Sequence, residues 1–149
     1  MHHDRYIPKP VQKPLLNLKD RLGLAEDYPA MHRAIVQGFK FDTVASIAHE
    51  TGLSKTEVLN ALNLPHWTVV KKRKHRCFTT IESNRIYALI EAITAAEALF
   101  EGDLHEAVNW LKRPCTGLGQ RSPFENLNSF FELQQVLSLI HRLEHGVFS

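Results

Sequence analysis

Residues 54–76 read Ser54-Lys55-Thr56-Glu57-Val58-Leu59-Asn60-Ala61-Leu62-Asn63-Leu64-Pro65-His66-Trp67-Thr68-Val69-Val70-Lys71-Lys72-Arg73-Lys74-His75-Arg76, the layout of a helix, a tight turn and a second helix running into a basic end. Ser54 stands where a helix needs an N-cap, with Glu57 three residues on, the spacing of a capping box. Val58, Leu59 and Leu62 line the buried side of the helix that follows. Asn63-Leu64-Pro65 is then a tight connection. Asn tolerates the left-handed backbone such a turn asks for, and Leu64 plugs the angle between the helices. His66 to about Lys74 reads as the second helix, with Trp67 and Val70 inward. Laid in a major groove, it would bring His66, Thr68 and Val69 near base edges. Lys71, Lys72, Arg73, Lys74 and Arg76 would lie beside the phosphates and give salt-dependent contacts that position rather than read. The bland alternative is a helical corner with a solvated basic surface.

Charge distribution favours the first reading. Residues 1–76 carry 13 Lys/Arg against 7 Asp/Glu, a net of +6, while residues 77–149 carry 5 against 9, a net of −4. A basic half suits a polyanion and an acidic half does not. The sign change places a boundary near residues 77–82, with the alternative that the long helix after it ties both halves into one body.

Outward from this stretch the pattern is helical throughout. Pro8, Pro10 and Pro14 make the first residues an irregular arm, and the leucines from Leu15 to Leu24 anchor a short helix. Pro29 opens a helix through about Gln37. Asp42 or Thr43 caps the next, which ends at Gly52. Thr79 or Thr80 starts a long helix to about Phe100, whose Ile86, Leu89, Ile90, Ile93 and Ala96 recur at helical spacing. Asp103 to Lys112 is another helix. Pro114 to Pro123 is a loop, Pro123 opens a short helical turn, and the final helix runs from about Phe130 to His145. Alternation at period two is nowhere present, so the expected fold is all-α.

Several classes of function fall away. The chain has 149 residues, room for one compact core or two small cores in contact. No run of 18 apolar residues spans a membrane. The first residues lack the apolar segment of a secretory signal, and Cys77 and Cys115 make no disulfide framework, so the cytoplasm is the expected compartment. No phosphate-cradling loop follows a strand, no nucleophile elbow is present, and neither cysteine is marked as a nucleophile. His141-Arg142-Leu143-Glu144-His145 formally matches the inverted zinc-peptidase signature. A terminal helix offers no downstream acidic ligand and no cleft, so catalytic zinc is rejected. No metal and no cofactor is expected, and the chain is not expected to be an enzyme.

Three ordered stretches carry a resemblance: Asn109-Trp110-Leu111-Lys112-Arg113-Pro114, then Leu118-Gly119-Gln120-Arg121-Ser122-Pro123-Phe124, then Arg142-Leu143-Glu144-His145-Gly146-Val147-Phe148. They resemble the toxin-binding domain of the Xre/MbcA/ParS antitoxin family, and residues 31–78 resemble the Xre-like domain of the same proteins. The similarity covers about residues 25–149. It implies an N-terminal arm over 1–24, an Xre-like helix-turn-helix domain over 25–78 and a toxin-binding domain over 79–149. It further implies a type II antitoxin that binds and blocks a RES-type, NAD-consuming toxin, forms a homodimer and represses its own operon at operator DNA. A free-standing helix-turn-helix regulator without a toxin partner is the alternative. A third reading keeps the antitoxin and makes the N-terminal domain only a dimerisation module.

On that pattern Trp110, Pro114, Leu118, Gly119 and Pro123 form the helix–loop–helix framework, and Arg142, Glu144 and Gly146 match the terminal signature. Two positions depart from it, Cys115 where Asn is common and Gln120 where the loop has a second Gly, which takes backbone freedom from the loop. Read from the residues alone, Trp110 favours the core over a binding hot spot. Arg121 is either a clamp on carbonyls around Gly117 and Gly119 or a contact for an acidic partner. Val147 and Phe148 either fold back on the core or insert in a partner as an apolar anchor. Toxin contact is expected from Arg121, Arg142, Glu144, Val147 and Phe148.

Overall fold

The computed structural model describes residues 16–65 and 77–146. Its elements are α1 (Leu18–Arg21), α2 (Tyr28–Gln37), α3 (Asp42–Thr51), α4 (Lys55–Ala61), α5 (Thr80–Leu99), α6 (Leu104–Lys112) and α7 (Phe130–Glu144). Two 3-10 turns, Thr116–Leu118 and Pro123–Glu125, lie between α6 and α7. The described residues form no strand, only isolated bridges at Lys40–Cys77 and Cys115–Arg121. The protein is all-α, with an N-terminal and a C-terminal cluster of helices.

Local chemistry sets the helix starts. Asp27, Ser54, Thr79, Asp103 and Ser129 each accept a hydrogen bond from a backbone N–H of the first turn they precede, which satisfies an otherwise orphaned donor. Pro29 sits in the first turn of α2, where its missing N–H costs nothing. One start differs from expectation. α3 begins at Asp42, with Phe41 at the cap position and no side-chain cap. Packing explains it: the Phe41 ring meets that of Phe78 edge-on at 5.0 Å, which fixes the entry of the chain without a polar cap.

Helix α5 is the pillar of the molecule. The spacing of its large aliphatics suggests a single apolar stripe, but Ala88 and Ala92 are buried as well as Ile86, Leu89, Ile90, Ile93 and Ala96. A helix apolar on so many sides belongs inside. It packs against α1 and α2 of the N-terminal cluster and against α6 and α7 of the C-terminal one. Each fully buried Ile or Leu stabilises by about 1.5–3 kcal/mol relative to exposure.

Backbone contacts lock the end of α2 to the start of α5. The Phe78 N–H donates to the Phe39 carbonyl at 2.7 Å. The Phe39 N–H donates to the buried Ser83 hydroxyl at 2.9 Å. The Thr80 hydroxyl donates to the Val36 carbonyl at 3.0 Å. Gly38, at φ +92°, runs so close to this strap that a Cβ built on it would lie 1.9 Å from the Phe78 oxygen.

One carboxylate is sunk in the pillar. Glu97 is about 4% exposed, and its Oε2 accepts from Arg21 Nη2 at 2.8 Å, while Arg21 Nε donates to Glu50 at 3.1 Å. Burial works to lower the Arg21 pKa, but the hydrogen bond and charge of Glu97, with those of Glu50, outweigh it and hold the guanidinium above its ordinary value. Lys19 pairs with Glu91 and lies 5.6 Å over the Tyr87 ring. These contacts bind α1 to α5 and α3, so residues 17–21 belong to the packed body.

Candidate functional site

The loop between α6 and α7 is built from its backbone outward. The Cys115 N–H donates to the Arg121 carbonyl at 3.0 Å, and the Cys115 carbonyl accepts from Leu118 and Gln120, both at 3.0 Å. This closes residues 115–121 into a knot that drives Leu118 into the core. Ser122 and Glu125 then exchange side-chain-to-backbone hydrogen bonds, a capping box that starts the Pro123–Glu125 turn. Burial pushes the Cys115 thiol pKa up, which makes it a poorer nucleophile.

The knot needs two consecutive left-handed residues, Gly119 at φ +66° and Gln120 at φ +65°. Glycine adopts this freely, whereas a side chain costs roughly 1–2 kcal/mol there. Gln120→Gly is therefore expected to leave the loop unchanged and raise stability by up to about 1 kcal/mol, after the entropy glycine adds to the unfolded chain. Urea unfolding checks this. A destabilised Q120G protein would mean that the Gln120 side chain, which reaches Thr116 Oγ1 at 3.4 Å, holds the loop.

Arg121 is a clamp, with acceptors other than those the sequence suggests. Its guanidinium donates to Asn126 Oδ1 at 3.2 Å and to the Glu125 carbonyl, and stands 3.9 Å from Glu132. It grips the 3-10 turn and the start of α7 while its side chain stays about half exposed. Trp110 is half-buried with its ring 6.4 Å from that of Phe100, beside the fully buried Leu111. Pro123 is buried, Pro114 is exposed, and Gly146 takes φ +67° just after α7.

In the last turns of α7, Arg142 and Glu144 part company. Arg142 is half-buried, and its Nε is enclosed with no hydrogen-bond partner among the described residues. Glu144 is exposed. Val147 and Phe148 lie outside the described residues, and so do His66, Thr68, Lys71, Lys72, Arg73, Lys74 and Arg76. Of the helix pair expected over 55–74, the first helix is α4, and Asn63 takes φ +53° with Leu64 buried beneath it.

The structure also forms a second helix corner, between the two helices that Gly52 and Ser54 mark in the sequence. α3 and α4 are joined by Gly52, Leu53 and Ser54 and pack on each other, and Ile47, Thr51, Leu53, Val58 and Leu62 are buried. Lys55, Thr56 and Asn60 are exposed on α4. The sequence signal is Gly52, left-handed at φ +76°, followed by apolar Leu53 and the Ser54 cap. Glu57, also on α4, pairs with Lys112 of α6 at 2.7 Å. The hydrogen bond from Lys112 holds the Glu57 carboxyl below its usual pKa. Both partners are well exposed, so the pair adds little stability.

A cleft of about 690 Å³ opens between α2, the first turns of α5 and the start of α7. Tyr28, Val36, Ile81 and Phe130 line it and are exposed, with Phe131 exposed beside Phe130. His32, Arg85 and Glu91 supply ionisable groups, and Thr80, Asn84, Asn128, Ser129 and Gln134 add polar ones.

Residues 95–146 match the antitoxin Xre/MbcA/ParS C-terminal toxin-binding domain. The chain is 39% identical over 117 residues to an Antitoxin Xre of Yersinia enterocolitica serotype O:8 / biotype 1B, covering 78% of this chain and 79% of the relative. It is 29% identical over 126 residues to an Antitoxin Xre of Photorhabdus laumondii subsp. laumondii, covering 81% and 82%. These are antitoxins, and no helix among the described residues is long and apolar enough to cross a membrane. Reaching from the packed N-terminal helices through the knot at 115–121 to the end of α7, the likeness places this chain in the Xre/MbcA/ParS antitoxin family.

Proposed function

We propose that this chain neutralises a RES-type, NAD-consuming toxin of a type II pair in the cytoplasm, by binding it without chemistry of its own. The match of residues 95–146 to a toxin-binding domain carries the reading. Residues 25–78 and 79–149 serve as DNA-binding domain and toxin-binding domain, and of the arm expected over 1–24 the part at 17–21 is packed on α5. Exposed Glu144 supports a partner-facing role for that residue, and half-exposed Arg121 can meet the partner while it clamps the loop. Val147 and Phe148 enter the mouth of the toxin's cleft as an apolar plug, excluding substrate. Arg142 braces the end of α7.

The complex is built on an antitoxin homodimer that represses its own operon. The exposed side chains about the α2–α5–α7 cleft support self-association. Most of the cleft's lining lies before residue 95, outside the segment matched to toxin binding, which favours a second copy over the toxin there. The basic run 71–76 supports binding to the DNA backbone.

Co-expression with the product of the adjacent reading frame tests the main reading. Restored growth, preserved cellular NAD and co-purification are expected, and failure of all three would leave the free-standing regulator. Removing residues 147–149 is expected to keep the fold and the complex but impair inhibition. Full inhibition by that truncation would exclude the plug. For DNA, Lys71→Ala with Lys72→Ala should weaken binding to every sequence alike and lower the salt slope by about 0.9 per lost phosphate contact. Unchanged affinity and slope in a folded double variant would exclude those contacts. A strictly monomeric mass for the free and the complexed chain would exclude the dimer.

A further inference from the structure

The H-x-x-E-H stretch that offers no catalytic site nevertheless brings three ligands together. On the last turns of α7, the nitrogens of His141 and His145 and a carboxylate oxygen of Glu144 lie within 4.8 Å of one another. The two imidazole rings lie one turn apart with centroids 4.2 Å from each other and planes tilted by 44°. All three side chains are exposed, so none is committed to the core. The intervening cation, Arg142, has its Nε enclosed in the protein. We propose that this turn is a surface site for a borderline divalent transition metal, with Zn²⁺ the best match, held by His141, Glu144 and His145.

The donor set fits that class of ion. Two neutral imidazoles and one carboxylate suit Zn²⁺ and Co²⁺, whereas Mg²⁺ and Ca²⁺ ask for oxygen ligands. Zn–N bonds of about 2.0–2.1 Å put tetrahedral ligand atoms about 3.3 Å apart, so these must draw together by up to about 1.5 Å, which exposed side chains on one helix turn can do by rotation. The i, i+4 spacing does most of the work, since it places both rings on one face one turn apart. Three protein ligands leave a position for water or a partner's donor. The site lies on an open helix face, and no catalytic role is assigned to it. Its location gives it a consequence: a bound ion would clip the turn from which the chain leaves toward residues 147–149.

The test is a titration of the full-length, EDTA-stripped protein with ZnCl₂ by calorimetry, compared with His141→Ala/His145→Ala and with Glu144→Gln. The parent is expected to take up one equivalent of Zn²⁺ that the double variant lacks. E144Q should retain that equivalent at about ten-fold or more weaker affinity. This difference also separates the site from the other histidines, of which the chain holds seven besides these two. Co²⁺ should give visible bands with the parent that the double variant loses. Circular dichroism in EDTA checks that the variants fold, and His141→Gln alone serves if the double variant does not. Equal Zn²⁺ uptake and affinity in parent and imidazole variants, or no uptake by the parent at about 100 µM free Zn²⁺, would overturn the proposal.

Discussion

Replacing Gly38 by alanine is expected to cost about 4 kcal/mol, most of what a marginally stable domain has. Two effects add. At φ +92° any side chain is strained, at about 1–3 kcal/mol. The new Cβ would also stand 1.9 Å from the Phe78 carbonyl oxygen, a backbone atom that cannot swing aside. Relief means moving the strap from Phe78 off Phe39, with loss of the 2.7 Å hydrogen bond between them. Gly23→Ala is the control, because Gly23 also has a positive φ, +69°, but nothing lies within 4 Å of its would-be Cβ. Urea unfolding of the two variants separates strain from collision. Equal, small losses would mean that the strap yields easily and that the α2–α5 junction is softer than its hydrogen bonds imply.

Arg21→Ala is expected to destabilise by about 3–5 kcal/mol, because it leaves the Glu97 carboxylate inside the protein without its cation. Glu97 is on the central helix and about 4% exposed, so water cannot readily replace the guanidinium. The loss reflects the stranded charge more than the worth of the pair, and Arg21→Leu with Glu97→Leu should therefore recover most of it. A double variant no more stable than R21A would show that the ion pair itself carries the packing of α1 on α5. Thermal or urea unfolding of the parent, R21A and the Arg21→Leu/Glu97→Leu double variant gives the answer.

Helix positions were legible in the sequence because caps are local. Thr79 with Glu82 marks the start of α5 by chemistry confined to four residues. The left-handed turn at Asn63 and the strain at Gln120 were legible for the same reason. What escaped depended on distance in the chain. Nothing near Arg21 announces Glu97, 76 residues away. Nothing beside Gly38 announces Phe78. Arg121 was legible as a clamp, but its acceptors were not, because they depend on how the Pro123–Glu125 turn folds back. The α3–α4 corner stands out less in the sequence because its charge is sparse: the dense basic run lies after Pro65, whereas α4 exposes only Lys55, Thr56, Glu57 and Asn60. The toxin-binding half was readable from its ordered motifs, whereas which of Arg142 and Glu144 faces outward required the packing of α7.

Because α5 is shared, neither half of the protein can open alone without exposing the pillar to water. The two clusters should behave as one cooperative unit, with amide exchange in α2 and in α7 slowed to a similar degree. Thermodynamic linkage then carries a message between them. A toxin bound to the C-terminal helices lowers the population of opened molecules everywhere, the N-terminal helices included. Proteases that need an opened chain would find free antitoxin at both ends and complexed antitoxin at neither. Its lifetime would thus report on partner occupancy although the partner touches only part of its surface.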